Sequence, residues 1–113
     1  MRLALLLLAS PAFAKVNFVR EVKPILENHC VRCHGDERAM KHLRLDSRDR
    51  ALRAIVPGKP DESTLYLSPK IGFMPPGPEK LSPGQLDTLR KWIAEGARWP
   101  KKIQLQAKNP FVK

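Results

Sequence analysis

Cysteine is nearly absent: the sequence holds two, three positions apart. A framework of several disulfides is therefore excluded, leaving at most one bridge. Aromatic residues are also scarce, at 6% of the chain, and they never gather into a strand that would stack bases. Acidic residues number 11 against 21 lysines and arginines, a formal net charge of +10. The basic residues are scattered instead of forming one arm or helix face, so nucleic acid is excluded as the expected partner. An acidic protein or an anionic membrane surface suits the surplus better. Apolar runs are short too. The longest, residues 3–8, falls far below the ~20 residues needed to cross a bilayer, so no transmembrane span is expected. There is no internal repeat and no sign of a second domain.

That short apolar run does have a reading. Arg2 precedes it, and Ala12-Phe13-Ala14 follows it as a small-x-small cleavage site. Residues 1–14 read as a signal peptide, with the mature chain starting at Lys15 and exported across a bacterial inner membrane into the periplasm. An uncleaved anchor is the alternative. Roughly 100 residues then remain, enough for one small domain with a modest apolar core. We place that domain at 15–100 and a C-terminal tail at 101–113.

The two cysteines stand in Cys30-Val31-Arg32-Cys33-His34. Cys-x-x-Cys-His is the spacing that attaches a c-type haem. Two thiols add across the porphyrin vinyl groups, and the adjacent imidazole becomes the proximal iron ligand. A thioredoxin-like redox pair would need a βαβ context that is missing here. A zinc site would need four ligands, from Cys30, Cys33, His34 and one of His29 or His42, two of them crowded onto consecutive residues. A plain disulfide is the remaining alternative. The export signal favours haem, and covalent haem would supply apolar volume that so short a chain lacks.

Around the motif the spacing predicts short helices. Phe18, Val19, Val22, Ile25 and Leu26 form one helical stripe over 17–28, with Asn17 as N-cap and a bend or restart at Pro24. Residues 36–41 read as a loop or short helix. Asp46 or Ser47 is expected to cap a helix over 48–55 whose inner face is Ala51, Leu52 and Ile55. Pro57-Gly58-Lys59-Pro60 is a turn, and residues 61–67 form another short capped helical turn. Residues 72–78, with three prolines and two glycines, make a stiff irregular loop that presents Met74. The best-marked helix runs from 81 to 96, with Ser82 and Gln85 as a capping box, Pro83 at its first position and Gly96 as its stop. Leu86, Leu89, Trp92 and Ile93 share its apolar face. Beyond it an extended tail is expected, held by Trp99 and frayed at its end.

Taken together these residues resemble a class I c-type cytochrome, and more closely the planctomycete-type cytochrome c domain family. The resemblance is carried by Val22-Lys23-Pro24-Ile25-Leu26, the Cys-x-x-Cys-His motif with Gly35, Leu43-Arg44-Leu45-Asp46, Val56-Pro57-Gly58-Lys59-Pro60, Met74-Pro75-Pro76 and Trp92-Ile93. It implies an all-α fold of short helices and loops wrapped around one covalent haem, with the terminal helices crossing beside it. It implies His34 and Met74 as axial iron ligands and single-electron transfer between redox proteins as the activity. Met74 sits in a Pro/Gly loop and not on an apolar helix face, which favours a ligand over a core side chain; Met40, His29 and His42 are the rivals. Arg44, Arg48, Lys59 and the indoles of Trp92 and Trp99 are candidates for contacts at the haem edge. The Pro57 carbonyl is the expected acceptor for His34 Nδ1–H. A monomeric carrier that docks transiently on an acidic redox protein follows from this reading. The alternatives are a peroxidase-like haem enzyme with a displaceable sixth ligand and a haem-bearing redox-sensing or docking subunit.

Overall fold

A computed structural model describes residues 15–31, 33–35, 39 and 43–107. The leader assigned to 1–14, the rival donors Met40 and His42, most of the expected loop at 36–41 and the tail from 108 lie outside them. Among the described residues every regular element is helical, and the only β pairing is an isolated bridge between His34 and Ala39.

The first helical stretch divides at Pro24, as its lack of an amide hydrogen requires. A single π-helical turn, Phe18–Val22, leads into α1, Lys23–His29, with Pro24 in its first turn. Asn17 caps the start: its Oδ1 accepts the Arg20 N–H at 2.8 Å, and Glu21 Oε2 accepts the Asn17 N–H at 2.8 Å. The wide π turn changes the angular step per residue. Phe18 and Val22 therefore stay buried, while Val19, expected on the same stripe, turns out to solvent.

The middle of the chain is a run of brief turns. Helix α2, Arg48–Ala51, continues as a 3₁₀ turn over Leu52–Ala54, burying Ala51, Ala54 and Ile55. Ser47 stands at its N-cap without a side-chain cap bond. The Asp46 carboxylate is directed elsewhere, so neither side chain caps as expected. After the Pro57-Gly58 turn and a 3₁₀ turn at Pro60–Glu62, helix α3 spans Thr64–Lys70, three residues later than the 61–67 segment read from sequence. Its N-cap, Ser63, is fully buried, and the hydroxyl serves the preceding turn. Ser63 Oγ accepts the Val56 N–H at 2.8 Å and donates to the Lys59 carbonyl at 2.9 Å.

Helix α4, Pro83–Ala94, is built as expected. Ser82 Oγ accepts the Gln85 N–H (3.1 Å) and Gln85 Oε1 accepts the Ser82 N–H (2.9 Å). At its other end Gly96 takes φ +109° and Ala97 φ +56°. Ala97 N–H reaches the Trp92 carbonyl and Gly96 N–H the Ile93 carbonyl, both at 2.9 Å, which is the Schellman closure. The left-handed φ at Gly96 explains why a residue without Cβ stands there.

The first and last helical elements meet through an aromatic cluster. Phe18 stacks on Trp99 with ring centroids 4.6 Å apart and lies 5.6 Å from Trp92; the two indoles are 6.2 Å apart. Such pairs add about 0.5–1.5 kcal/mol beyond area burial. The chain after Trp99 does not leave the core. Leu105 is buried, its N–H donates to the Asp46 carbonyl at 2.8 Å, and Gln106 N–H donates to Glu27 Oε2 at 3.0 Å. Thus residues 103–107 are pinned to α1 and to the segment just before α2.

Candidate functional site

Helix α1 ends at His29, and the next residues turn tightly. Cys33 N–H (3.2 Å) and His34 N–H (3.0 Å) both reach the Cys30 carbonyl. Gly35 follows because nothing larger fits: a Cβ there would come within 2.6 Å of the Val31 carbonyl oxygen. The chain then returns beside the histidine, where Leu45 N–H donates to the His34 carbonyl at 2.6 Å. That return brings the Leu43 carbonyl to 3.1 Å from His34 Nδ1. The acceptor expected from the resemblance, the Pro57 carbonyl, is therefore replaced by Leu43's. A bond at Nδ1 to a carbonyl, which can only accept, makes that nitrogen the protonated one and leaves the Nε2 lone pair for a metal.

Across from this turn lies the loop that follows α3. The Ser68 carbonyl accepts the N–H groups of Phe73 (2.9 Å) and Met74 (3.2 Å), and Lys80 Nζ donates to the Pro75 carbonyl at 2.5 Å. The loop is clamped at both ends, and the Met74–Pro75 bond is cis. Between turn and loop runs an open cleft of about 180 Å³, several times the ~30 Å³ that one water occupies. Cys30, Cys33, His34 and Met74 all line it, with His29 at the same wall and Leu45, Leu65 and Leu81 among its apolar surfaces. No disulfide joins the two cysteines.

Residues 30–77 match the family model described as Planctomycete cytochrome C. That segment belongs to the planctomycete cytochrome c family, and the resemblance read from the motifs is borne out. Family membership implies haem c, iron and electron transfer. Neither the curated proteins nor the solved structures yielded a match. The residues of the cytochrome c segment fit the implied group on their own chemistry. Two thiols, an imidazole with Nε2 available and a thioether border one apolar cleft, the donor types a c-type haem uses. The zinc alternative has less support, since among the described residues no group of three or more His, Cys, Asp or Glu is placed to hold a metal ion.

The remaining candidates lie elsewhere. Trp92 is in the aromatic core, where its indole N–H donates to the Arg98 carbonyl at 2.7 Å, and Trp99 donates to the Ile103 carbonyl at 2.8 Å. Lys59 is exposed on the turn before α3. Arg48 Nε donates to the Ala97 carbonyl at 3.3 Å. Arg44 forks onto Asp46, with Nε–Oδ1 3.1 Å and Nη2–Oδ2 2.6 Å. None of these five side chains is among the cleft's lining.

Asp46 is fully buried and also accepts Gln104 Nε2 at 3.0 Å. Burial pushes its acid up, but the Arg44 hydrogen bonds and charge, with help from Gln104, outweigh it and hold the carboxyl below its ordinary 3.8. Sequence reading missed what holds the site: the Leu43 and Ser68 carbonyls, and the Asp46 carboxylate just beyond the returning chain. Carbonyls leave no trace in a sequence. Asp46 could have been found only as an acid two residues from an arginine.

Proposed function

We infer that the chain is a periplasmic monohaem c-type cytochrome that passes single electrons between redox proteins. One observation carries this reading: Cys30, Cys33, His34 and Met74, drawn from two separate stretches, border a single apolar cleft. Haem bound there supplies one-electron chemistry at iron. The chain's own residues do the rest. Cys30 and Cys33 would anchor the group by thioether bonds, and the Leu43 carbonyl, by accepting the Nδ1–H of His34, leaves Nε2 available to the metal. Met74 provides a thioether, which favours the reduced state relative to a second imidazole. Its loop, clamped at Ser68 and Lys80, limits movement of that weak ligand when the charge changes. Leu45, Leu65 and Leu81 keep water from the site.

With an imidazole and a thioether both at the cleft, a bound haem would be left without an open position for a substrate, which favours a carrier over a peroxidase-like enzyme. The covalent link is the test. Denaturing mass spectrometry of protein exported with c-type maturation machinery should find the chain from Lys15 plus one haem. Haem that acidified solvent extracts would overturn the reading.

A further inference from the structure

The basic surplus that sequence reading treated as scattered is partly gathered by the fold. A second cavity, about 680 Å³, lies where the start of the described chain meets the region after α4. Its lining shares no residue with the haem cleft. Lys15, Arg48, Arg98 and Lys101 stand around it, with Phe18 and Trp99 as an apolar wall. The four cations come from three separate stretches of sequence, so no run of charge announced them. No acidic side chain is in the lining. Glu95 and Glu21 approach from outside it, and their carboxylates accept the backbone N–H groups of Val16 (2.9 Å) and Asn17 (2.8 Å). Among the described residues none of the four cations forms a salt bridge.

We propose that this cavity is a binding site for a phosphate-bearing anion. Four like charges around one cavity repel one another, and a multiply charged anion relieves that repulsion where a single carboxylate would leave most of it. Phosphate brings close to two charges at neutral pH and three strong acceptor oxygens. Forked guanidiniums such as those of Arg48 and Arg98 bind it bidentately, while Lys15 and Lys101 act as point charges. The Phe18–Trp99 wall suits the organic part of a phosphate ester. A soluble phosphate compound carries these charges in one molecule, whereas an anionic lipid headgroup, as a diester, shares the phosphate oxygens but brings one charge, so that more than one headgroup would gather at the cavity.

The test uses the holo-protein at low salt. Inorganic pyrophosphate is titrated by calorimetry while the Trp99 indole N–H is followed by NMR, and sedimentation measures binding to phosphatidylglycerol vesicles against phosphatidylcholine vesicles. One pyrophosphate should bind and shift the Trp99 signal, and Arg98→Glu with Lys101→Glu should weaken it at least tenfold. Lys70→Glu with Lys91→Glu makes the same change in net charge on exposed residues outside the cavity and should leave binding nearly unchanged. Binding to phosphatidylglycerol alone, with the same response to the variants, assigns the phosphate to lipid. Equal losses in both double variants reduce the effect to net charge and overturn the site. Binding of neither probe, or of poly-glutamate alone, overturns it as well. None of these failures touches the electron-carrier reading, which rests on the other cleft.

Discussion

The aromatic side of this domain and its cleft side are finished to different degrees by the protein itself. On the aromatic side, Phe18, Trp92 and Trp99 pack together, both indole N–H groups find carbonyls, and Asp46 and Glu27 tie the last described residues down. On the cleft side the thiols, the imidazole and the thioether face a gap, and the adjoining Ile71 and Phe73 are 76% and 67% exposed. Large apolar side chains at such exposure mark a place where something else is to be met. The difference teaches where stability and function are stored. Substitutions on one side should cost folding free energy, and those on the other should change the chemistry and leave the fold standing.

The largest effect on folding is expected from Trp92→Ala. It empties the middle of the aromatic cluster and orphans the Arg98 carbonyl, and should lower the stability of the holo-protein by about 3–5 kcal/mol. Urea unfolding followed by circular dichroism measures this. A loss below ~1 kcal/mol would mean that the two sides are not divided as described.

Asp46 comes next. Replacing it with alanine removes a buried charge partner from the half-buried Arg44 guanidinium and releases Gln104, and should cost about 3 kcal/mol. Its pH dependence sharpens the point. Because folding lowers the Asp46 pKa below 3.8, its contribution is complete above that value and disappears as pH falls through the folded-state value. The difference in urea midpoint between the native protein and Asp46→Asn should therefore be constant above pH ~5 and shrink below pH ~4. A difference that grows with acidity would reverse the assigned direction.

Met74→Ala should have the smallest effect on folding, about 1 kcal/mol or less, since the residue is half-buried on a loop held through backbone groups. Its effect on the visible spectrum should nonetheless be the largest of the three: a high-spin or ligand-exchanged haem with a lower potential. Met40→Ala should change little. The opposite pattern would hand the distal position to Met40.

How much of this could be read in the sequence varied with the range of the interaction. The capping box at Ser82 and Gln85, the stop at Gly96 and the break at Pro24 were all legible, because each depends on partners within one or two turns. Helix α3 was misplaced for the converse reason. The turn expected over 61–67 is interrupted at Ser63, whose hydroxyl is occupied by Val56 seven residues upstream. Trp99 holds the start of the tail through the Ile103 carbonyl as expected, but nothing near Leu105 or Gln106 shows that Asp46 and Glu27 await them some 60 to 80 positions earlier. In the candidate site, the four residues that border the cleft together, Cys30, Cys33, His34 and Met74, were identifiable by type. The candidates for its edge were chosen by charge or aromaticity, and the fold committed Arg44, Trp92 and Trp99 to other partners.

By itself, then, the sequence determined the chemistry carried by neighbours in the chain: the Cys-x-x-Cys-His turn, the Pro/Gly loop presenting Met74, the helix ends. Only the tertiary structure decided that Leu43's carbonyl and not Pro57's orients His34, that Asp46 holds the tail, and that four dispersed cations share a cavity. Backbone carbonyls are chemically alike, and charges of one sign carry no address. Which of them meet depends on how the chain returns on itself, and packing at long range sets that path.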